Sequence, residues 1–152
     1  ISARVTSSIT AELATMKVTE QIDALITLST VPLKYLVLPR VLAGFLVGPI
    51  LVGVAASVGI LGGFLVATLT LGFNSSTYIL DTINFLTSAD IISSMAKGAA
   101  FGFIATLMGC YYGLNSGRGA LGVGMATKSS VQAAAVLILA ANFLLTAVFF
   151  TA

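Results

Sequence analysis

The stretch "VLAGFLVGPILVGVAASVGILGGFLVATLT", residues 41–70, contains no charged residue and decides the fold class of this chain. The charge-free run continues to Leu80, and two more such runs cover residues 98–117 and 129–152. A membrane-spanning helix needs about 20 mostly apolar residues, so each run is long enough to cross a bilayer. Only 8% of the 152 residues are charged and 58% are hydrophobic, whereas about a quarter of the residues in a soluble domain are charged. The sequence therefore predicts an all-α integral membrane protein with three transmembrane helices.

The ends of the three spans follow from turn-forming residues and from charges. Gly, Asn and Ser in "LGFNSST" (71–77) predict the end of the first span. The chain divides into a region before the membrane, 1–40, and a membrane region, 41–152. In chain order, the membrane region is predicted to comprise span 41–71, segment 73–91, span 92–114, loop 115–128 and span 129–151.

The basic residues predict how the spans are oriented. The region before the first span carries Arg4, Lys17, Lys34 and Arg40, and the loop between the second and third spans carries Arg118 and Lys128. The segment between the first two spans carries Asp81 and Asp90 instead. Because basic loops stay in the cytoplasm, we expect residues 1–40 and loop 115–128 to be cytoplasmic and segment 73–91 to be periplasmic.

A charged stretch, "AELATMKVTEQIDAL" (11–25), precedes the first span and has the spacing of an amphipathic helix. On a helical wheel, its apolar and acidic residues fall on opposite sides. The apolar side carries Ala14, Val18, Ile22, Leu25 and Ile26, and the opposite side carries Glu12, an exposed Met16, Glu20 and Asp23. Anionic lipid repels an acidic face, which favours a protein partner in the cytoplasm. A solvated face without a partner accounts for the same periodicity.

Small residues recur in the first two spans at the spacing that lets membrane helices approach closely. Four GxxxG pairs occur there: Gly44 and Gly48, Gly59 and Gly63, Gly98 and Gly102, and Gly109 and Gly113. Glycine is common in membrane helices, so a single pair is a weak signal. Four pairs in adjacent spans predict tight packing between these spans.

Two ionisable residues, Asp90 and Lys97, lie near the predicted outer end of the second span. Ser88 is predicted to cap a helix that starts at Ala89, with Asp90 in its first turn. Asp90 and Lys97 are seven residues apart and share one helix face, so they could form an ion pair, or Lys97 could snorkel to the interface. An ionisable residue at membrane depth is also a candidate for function, which here would be contact between Lys97 and a lipid phosphate.

The residue types of this chain almost exclude catalysis. It has no His and one Cys, Cys110, which lies inside a predicted span, so neither a metal site nor a disulfide is expected. No GxxxxGK[ST] loop for nucleotide phosphates occurs. The chain is therefore predicted not to be an enzyme, and if ATP drives it, another subunit hydrolyses the ATP.

Several segments carry a resemblance to a known family. They are "ARVTSSITAELATMKVTEQIDAL" (3–25), "PLKYLVLPRVLAG" (32–44), "DIISSMAKGAAFGFI" (90–104), "CYYGL" (110–114) and "GVGMATKSSV" (122–131). Together they resemble the MlaE/YrbE permease family, the membrane subunits of ABC-type phospholipid transporters that work with MCE proteins. The chain begins with Ile1 rather than Met, and the family has two further spans upstream. The resemblance therefore implies the C-terminal three spans of a five-span permease.

The resemblance also implies a function for the charged stretch. In this family, the cytoplasmic segment before the third span docks on the ATPase as a coupling helix. The residues that would serve this role here are Glu12, Met16, Lys17, Thr19, Glu20, Gln21 and Asp23. A charged rim gives such a surface its register and association rate.

The partners and the location follow from the same resemblance. The expected partners are an ABC ATPase that binds ATP and Mg, a periplasmic MCE-domain protein, a second copy of the chain, a phospholipid and a small STAS-type accessory protein. No cofactor and no nucleic acid are expected to bind this chain. The expected location is the bacterial inner membrane, and the expected activity is phospholipid movement between the inner membrane and the outer membrane or periplasm, which maintains outer-membrane lipid asymmetry. The alternative is a secondary transporter, a channel or a structural membrane subunit, although a secondary transporter should show inverted repeats or intramembrane charges.

Overall fold

The computed structural model describes the backbone of residues 1–151 and the side chains of residues 1–149, so Ala152 of the predicted membrane region lies outside the described residues. All regular structure in the described part is helical, as predicted. The helices are α1 (Ser2–Val18), α2 (Gln21–Thr27), α3 (Leu38–Leu69), α4 (Ser75–Phe85), α5 (Ser88–Leu114) and α6 (Gly119–Thr151). A π-helical turn, Leu33–Val37, leads directly into α3.

Three helices are long and apolar enough to cross a membrane: Leu33–Leu69, Ser88–Leu114 and Gly119–Phe149. This confirms the prediction of an all-α membrane protein with three candidate spans. The helices begin earlier than predicted because a charged residue near a helix end, such as Arg40, Asp90 or Lys128, does not stop a helix. Most of the predicted loop 115–128 is therefore helical, and only residues 115–118 connect α5 to α6.

The charged stretch 11–25 does not form the single helix that its periodicity predicted. α1 ends at Val18, and Glu20 adopts a left-handed backbone conformation with φ of 59° before α2 begins. β-Branched residues are weaker helix formers, and Val18 and Thr19 stand where the helix ends. The Thr19 hydroxyl donates to the carbonyl oxygen of Thr15 at the same place. The chain therefore turns a corner in the middle of the stretch.

The helix α5 lies at the centre, with α1, α3 and α6 packed against it. α1 runs beside the C-terminal half of α5 in the same direction, because Thr6 bonds to Ala105 and Thr10 bonds to Gly109. The buried face of α1 consists of Thr6, Thr10, Leu13 and Ala14. The predicted apolar side was right at Ala14, which is buried, and at Ile22 and Leu25, which pack against the core. It was wrong at Val18 and Ile26, which are exposed.

A segment of two short connections and one helix joins α3 to α5. Asn74 caps α4, and its side-chain oxygen accepts a hydrogen bond from the Ser76 amide at 3.1 Å. Thr87, rather than the predicted Ser88, is the N-cap of α5. Asp90 lies in the first turn, as predicted, and its carboxylate accepts a hydrogen bond from the Thr87 amide at 3.2 Å.

Candidate functional site

Six of the seven residues that the sequence suggested for coupling are exposed, and four of these six lie at the corner between α1 and α2. These four are Thr19, Glu20, Gln21 and Asp23. Asp23 lies in the first turn of α2, where a negative charge is favoured by the helix dipole. The left-handed conformation of Glu20 is uncommon for a residue other than glycine. The corner thus presents a fixed acidic edge at one end of the helix bundle.

Glu12, also predicted to face a partner, forms an ion pair within the chain instead. Its Oε1 lies 2.7 Å from Nη2 of Arg40, and Nη1 of Arg40 donates to the carbonyl oxygen of Leu36 at 3.0 Å. The pair connects α1 to the start of α3. The Glu12 side chain is 57% exposed, and such partly solvated pairs contribute about 1 kcal/mol or less.

Met16 was predicted to be exposed, and this was wrong. It is half-buried and packs against a hydrophobic cluster of Leu13, Leu36 and Cys110. Methionine fills irregular gaps well because its side chain is flexible. In the structure, Met16 therefore helps to hold α1 against α5 and the turn before α3.

Lys17 connects the corner to the end of α5. Its Nζ donates to the carbonyl oxygens of Leu114, at 2.8 Å, and Ser116, at 2.9 Å. The last carbonyl groups of a helix lack partners within the helix, and a lysine near them is favoured by the helix dipole. Lys17 thus fixes the corner relative to the turn between α5 and α6.

A groove of about 320 Å³ lies where the corner meets this turn. We call it the corner groove. It is lined by Lys17, Val18, Glu20, Ile22, Asp23, Leu114, Gly117 and Arg118. The groove combines apolar side chains with both signs of charge, which is the chemistry of a protein-docking surface.

Asp90 and Lys97 have separate partners, so the predicted ion pair is not formed. Within the part of the chain that the structure describes, the one salt bridge joins Glu12 to Arg40. Nζ of Lys97 donates to the hydroxyl of Thr146 on α6 at 2.8 Å. Thr146 in turn donates to the carbonyl oxygen of Asn142 at 2.6 Å. Lys97 therefore connects α5 to α6, while Asp90 caps α5.

Two of the four glycine pairs face each other between α3 and α5. A Cβ atom added at Gly44 would lie 2.9 Å from the Gly102 carbonyl oxygen, and one at Gly98 would lie 3.2 Å from the Gly48 carbonyl oxygen. Contacts this short leave no room for a side chain. The two helix backbones are therefore in direct contact.

The other two pairs serve different neighbours. Gly109 and Gly113 face α1, where added Cβ atoms would lie 3.2 Å and 2.7 Å from the Cβ atoms of Ile9 and Leu13. Gly59 faces open space, and Gly63 lies near the Tyr78 hydroxyl of α4. Of the four glycine pairs, only the pair of Gly44 and Gly48 and the pair of Gly98 and Gly102 therefore join the first and second spans.

Sequence reasoning missed a buried cluster of hydroxyl groups between α1, α5 and α6. Thr6, Thr10 and Ser130 are fully buried. The Thr10 hydroxyl lies 2.8 Å from that of Ser130 and 3.2 Å from the carbonyl oxygen of Gly109. Ser130 donates to the carbonyl oxygen of Thr127. The sequence did contain a signal for this cluster, namely the helical spacing of Thr6, Thr10, Leu13 and Ala14 on one face of α1. The signal was missed because residues 1–40 were assigned to a region outside the membrane.

Comparison with known proteins identifies the family to which this chain belongs. The family model described as "Permease MlaE" matches residues 1–148. The chain belongs to the MlaE permease family. A "probable ABC transporter permease protein" of Rickettsia felis is 49% identical over 150 residues, which are 99% of this chain and 58% of that protein. Similarly named proteins of Synechocystis and Porphyra purpurea are 39% and 40% identical over 95% and 86% of the chain, and over 55% and 50% of their own lengths.

The MlaE-family chain thus spans about half the length of the curated relatives that it matches. Its relatives are named as ABC transporter permeases, and its three long apolar helices are those of a multi-pass membrane protein.

Proposed function

We propose that this chain is part of a permease subunit that moves phospholipids between the inner membrane and the outer membrane or periplasm. A separate ATPase subunit binds ATP and Mg and docks on the exposed corner between α1 and α2. The observation that carries this proposal is the exposed acidic corner of Glu20 and Asp23. The corner lies at the end of α1, and α1 packs along both α5 and α6. Movement of the corner would therefore move two candidate spans.

The proposed orientation places the corner in the cytoplasm. Arg118 and Lys34 lie at the same end of the bundle as the corner, whereas Asp81 lies in α4 at the opposite end. Basic residues favour the cytoplasmic side of a bacterial inner membrane. The opposite end would then face the periplasm and an MCE-domain protein, with a second copy of the chain and a STAS-type accessory protein completing the complex.

A lipid is the substrate class that the described surfaces favour. A groove of about 130 Å³ between α1, α3 and α5 is lined almost wholly by apolar groups, including Val5, Leu51 and Phe101. A hydrophilic solute needs a polar path through the membrane, and this groove offers none. Lys97, half-buried near the opposite end of α5, remains our candidate for contact with a lipid phosphate.

Charge reversal at the corner tests the proposal. In the full-length permease, Glu20→Lys combined with Asp23→Lys should weaken association with the ATPase subunit by about tenfold or more, because attraction at the rim becomes repulsion. Lipid transfer between labelled vesicles should fall in parallel. Association is measured with the purified ATPase subunit and the permease in lipid nanodiscs.

The matched control is Asp81→Lys, which reverses an exposed acid at the opposite end of the bundle. It should leave association with the ATPase unchanged. Normal association and transfer in the Glu20 and Asp23 double variant would refute docking at the corner.

A further inference from the structure

The corner groove carries acids on one side and basic groups on the other, because Nζ of Lys17, which comes from α1, lies against the α5–α6 turn. Glu20 and Asp23 come from the corner between α1 and α2, and Arg118 comes from the turn between α5 and α6. All three side chains are exposed. Among the described residues, the one salt bridge is that of Glu12 with Arg40, so the charges do not pair across the groove. The groove is open and dipolar, with room for a side chain of a partner.

The two sides are held together as one unit. Nζ of Lys17 bonds to the carbonyl oxygens of both Leu114 and Ser116, on either side of the C-cap of α5. A partner seated in the groove would therefore contact the corner and the α5–α6 turn at once. Between the charges, Val18, Ile22 and Leu114 supply an apolar lining.

We propose that the α5–α6 turn, through Arg118, forms the second half of the surface on which the ATPase docks, an inference that rests on the proposed function. The occupant is a segment of the ATPase with an apolar side chain flanked by two charges. A basic residue of this segment would face Glu20 and Asp23, and an acidic residue would face Arg118. Complementary charges of this kind set the register of docking as well as its rate.

The test measures how the full-length permease in nanodiscs binds the purified ATPase subunit at low and high salt. Arg118→Glu should weaken binding by about tenfold at low salt, and the effect should shrink as salt screens the charges. Arg118→Gln should weaken binding less, and Arg118→Lys should retain most of it. Arg118→Gln also keeps the test valid if the charge-reversed protein loses stability, which a thermal-unfolding measurement detects.

The matched control is Lys34→Glu, which reverses an exposed basic residue at the same end of the bundle but outside the groove. It should bind within about twofold of the parent protein. An equal loss in Lys34→Glu would overturn the specific role of Arg118.

The outcomes separate this inference from the proposed function. If Glu20→Lys weakens binding but Arg118→Glu binds like the parent, the second half of the surface is refuted and docking at the corner stands. If neither variant weakens binding, both proposals fall.

Discussion

At the scale of single residues, hydroxyl groups hold three helices together where apolar contacts alone cannot specify the register. Thr10 is fully buried, and its hydroxyl lies within hydrogen-bond distance of Ser130 on α6 and of the Gly109 carbonyl oxygen on α5, as well as 2.7 Å from the Thr6 carbonyl oxygen of its own helix. A hydroxyl carries one hydrogen, so it donates to one acceptor at a time and accepts from others. Apolar side chains of the spans have no preference for a helix neighbour over lipid. Thr10 therefore gives α1 a defined position.

Removing this hydroxyl should loosen α1 without changing its shape. Thr10→Val is expected to lower the free energy of unfolding by about 1 kcal/mol, the usual size of a hydrogen bond between membrane helices. The measurement is reversible unfolding in mixed micelles. Thr15→Val is the matched control, because Thr15 is exposed and its hydroxyl bonds only to its own helix, at Ala11. Equal stability of the two variants would show that the cluster contributes nothing specific.

The sequence predicted the exposed acids of the corner better than the residues around them. Glu20 and Asp23 lie where the wheel placed them, on the outside. Glu12 and Lys17 also have polar partners, but these partners, Arg40 and the end of α5, are distant in sequence. Periodicity describes one helix at a time, so it cannot identify a partner on another helix.

At the scale of elements, a glycine pair packs closely only where another helix meets it. Gly48 on α3 and Gly102 on α5 lie at a contact between two backbones, whereas Gly53, on the same helix as Gly48, faces open space. The sequence motif therefore permits close approach but does not identify which pairs are used. The partner depends on how the helices are arranged.

One added methyl group should distinguish these glycines. Gly102→Ala should destabilise the protein by about 1–3 kcal/mol, the usual cost of overpacking, because its Cβ would collide with the Gly44 carbonyl oxygen and lie 3.3 Å from Cα of Gly48. Backbone atoms cannot rotate away. Gly53→Ala has nothing within 4 Å and should stabilise the helix by up to about 1 kcal/mol. Thermal unfolding in detergent measures both, and a Gly102→Ala protein as stable as Gly53→Ala would contradict the close contact.

Helix ends were harder to predict than helix identity. The charge-free runs located all three candidate spans, but α6 begins at Gly119, ten residues before the predicted start at 129. Lys128 marked the end of the uncharged run, yet one exposed lysine is compatible with an unbroken helix. α1 ended early for a local reason, the Val18–Thr19 step, that hydrophobic periodicity does not register.

At the scale of the whole molecule, the corner, α1 and the central helix α5 form a continuous path. α1 begins near the apolar groove beside α3 and ends at the corner, and it contacts α5 and α6 along its length. Two kinds of contact join α1 to its neighbours along this path. Thr10 and the glycines Gly109 and Gly113 join the middle of α1 to its neighbours, and Lys17 joins its end to the end of α5. A force on the corner can therefore reach α5 directly through Lys17.

Breaking the joint at Lys17 should separate docking from transport in the complete transporter. Lys17→Met retains the long apolar stem but leaves the carbonyl oxygens of Leu114 and Ser116 without their donor. We expect association with the ATPase to weaken by no more than a few-fold, because Lys17 lines the corner groove but the acidic rim that sets docking is intact. The lipid moved per ATP hydrolysed should fall. The ratio is measured in proteoliposomes, with Lys34→Met, an exposed lysine outside the joint, as the control. An unchanged ratio would mean that the corner drives the spans without Lys17, and lost association with an unchanged ratio would mean that Lys17 touches the ATPase itself.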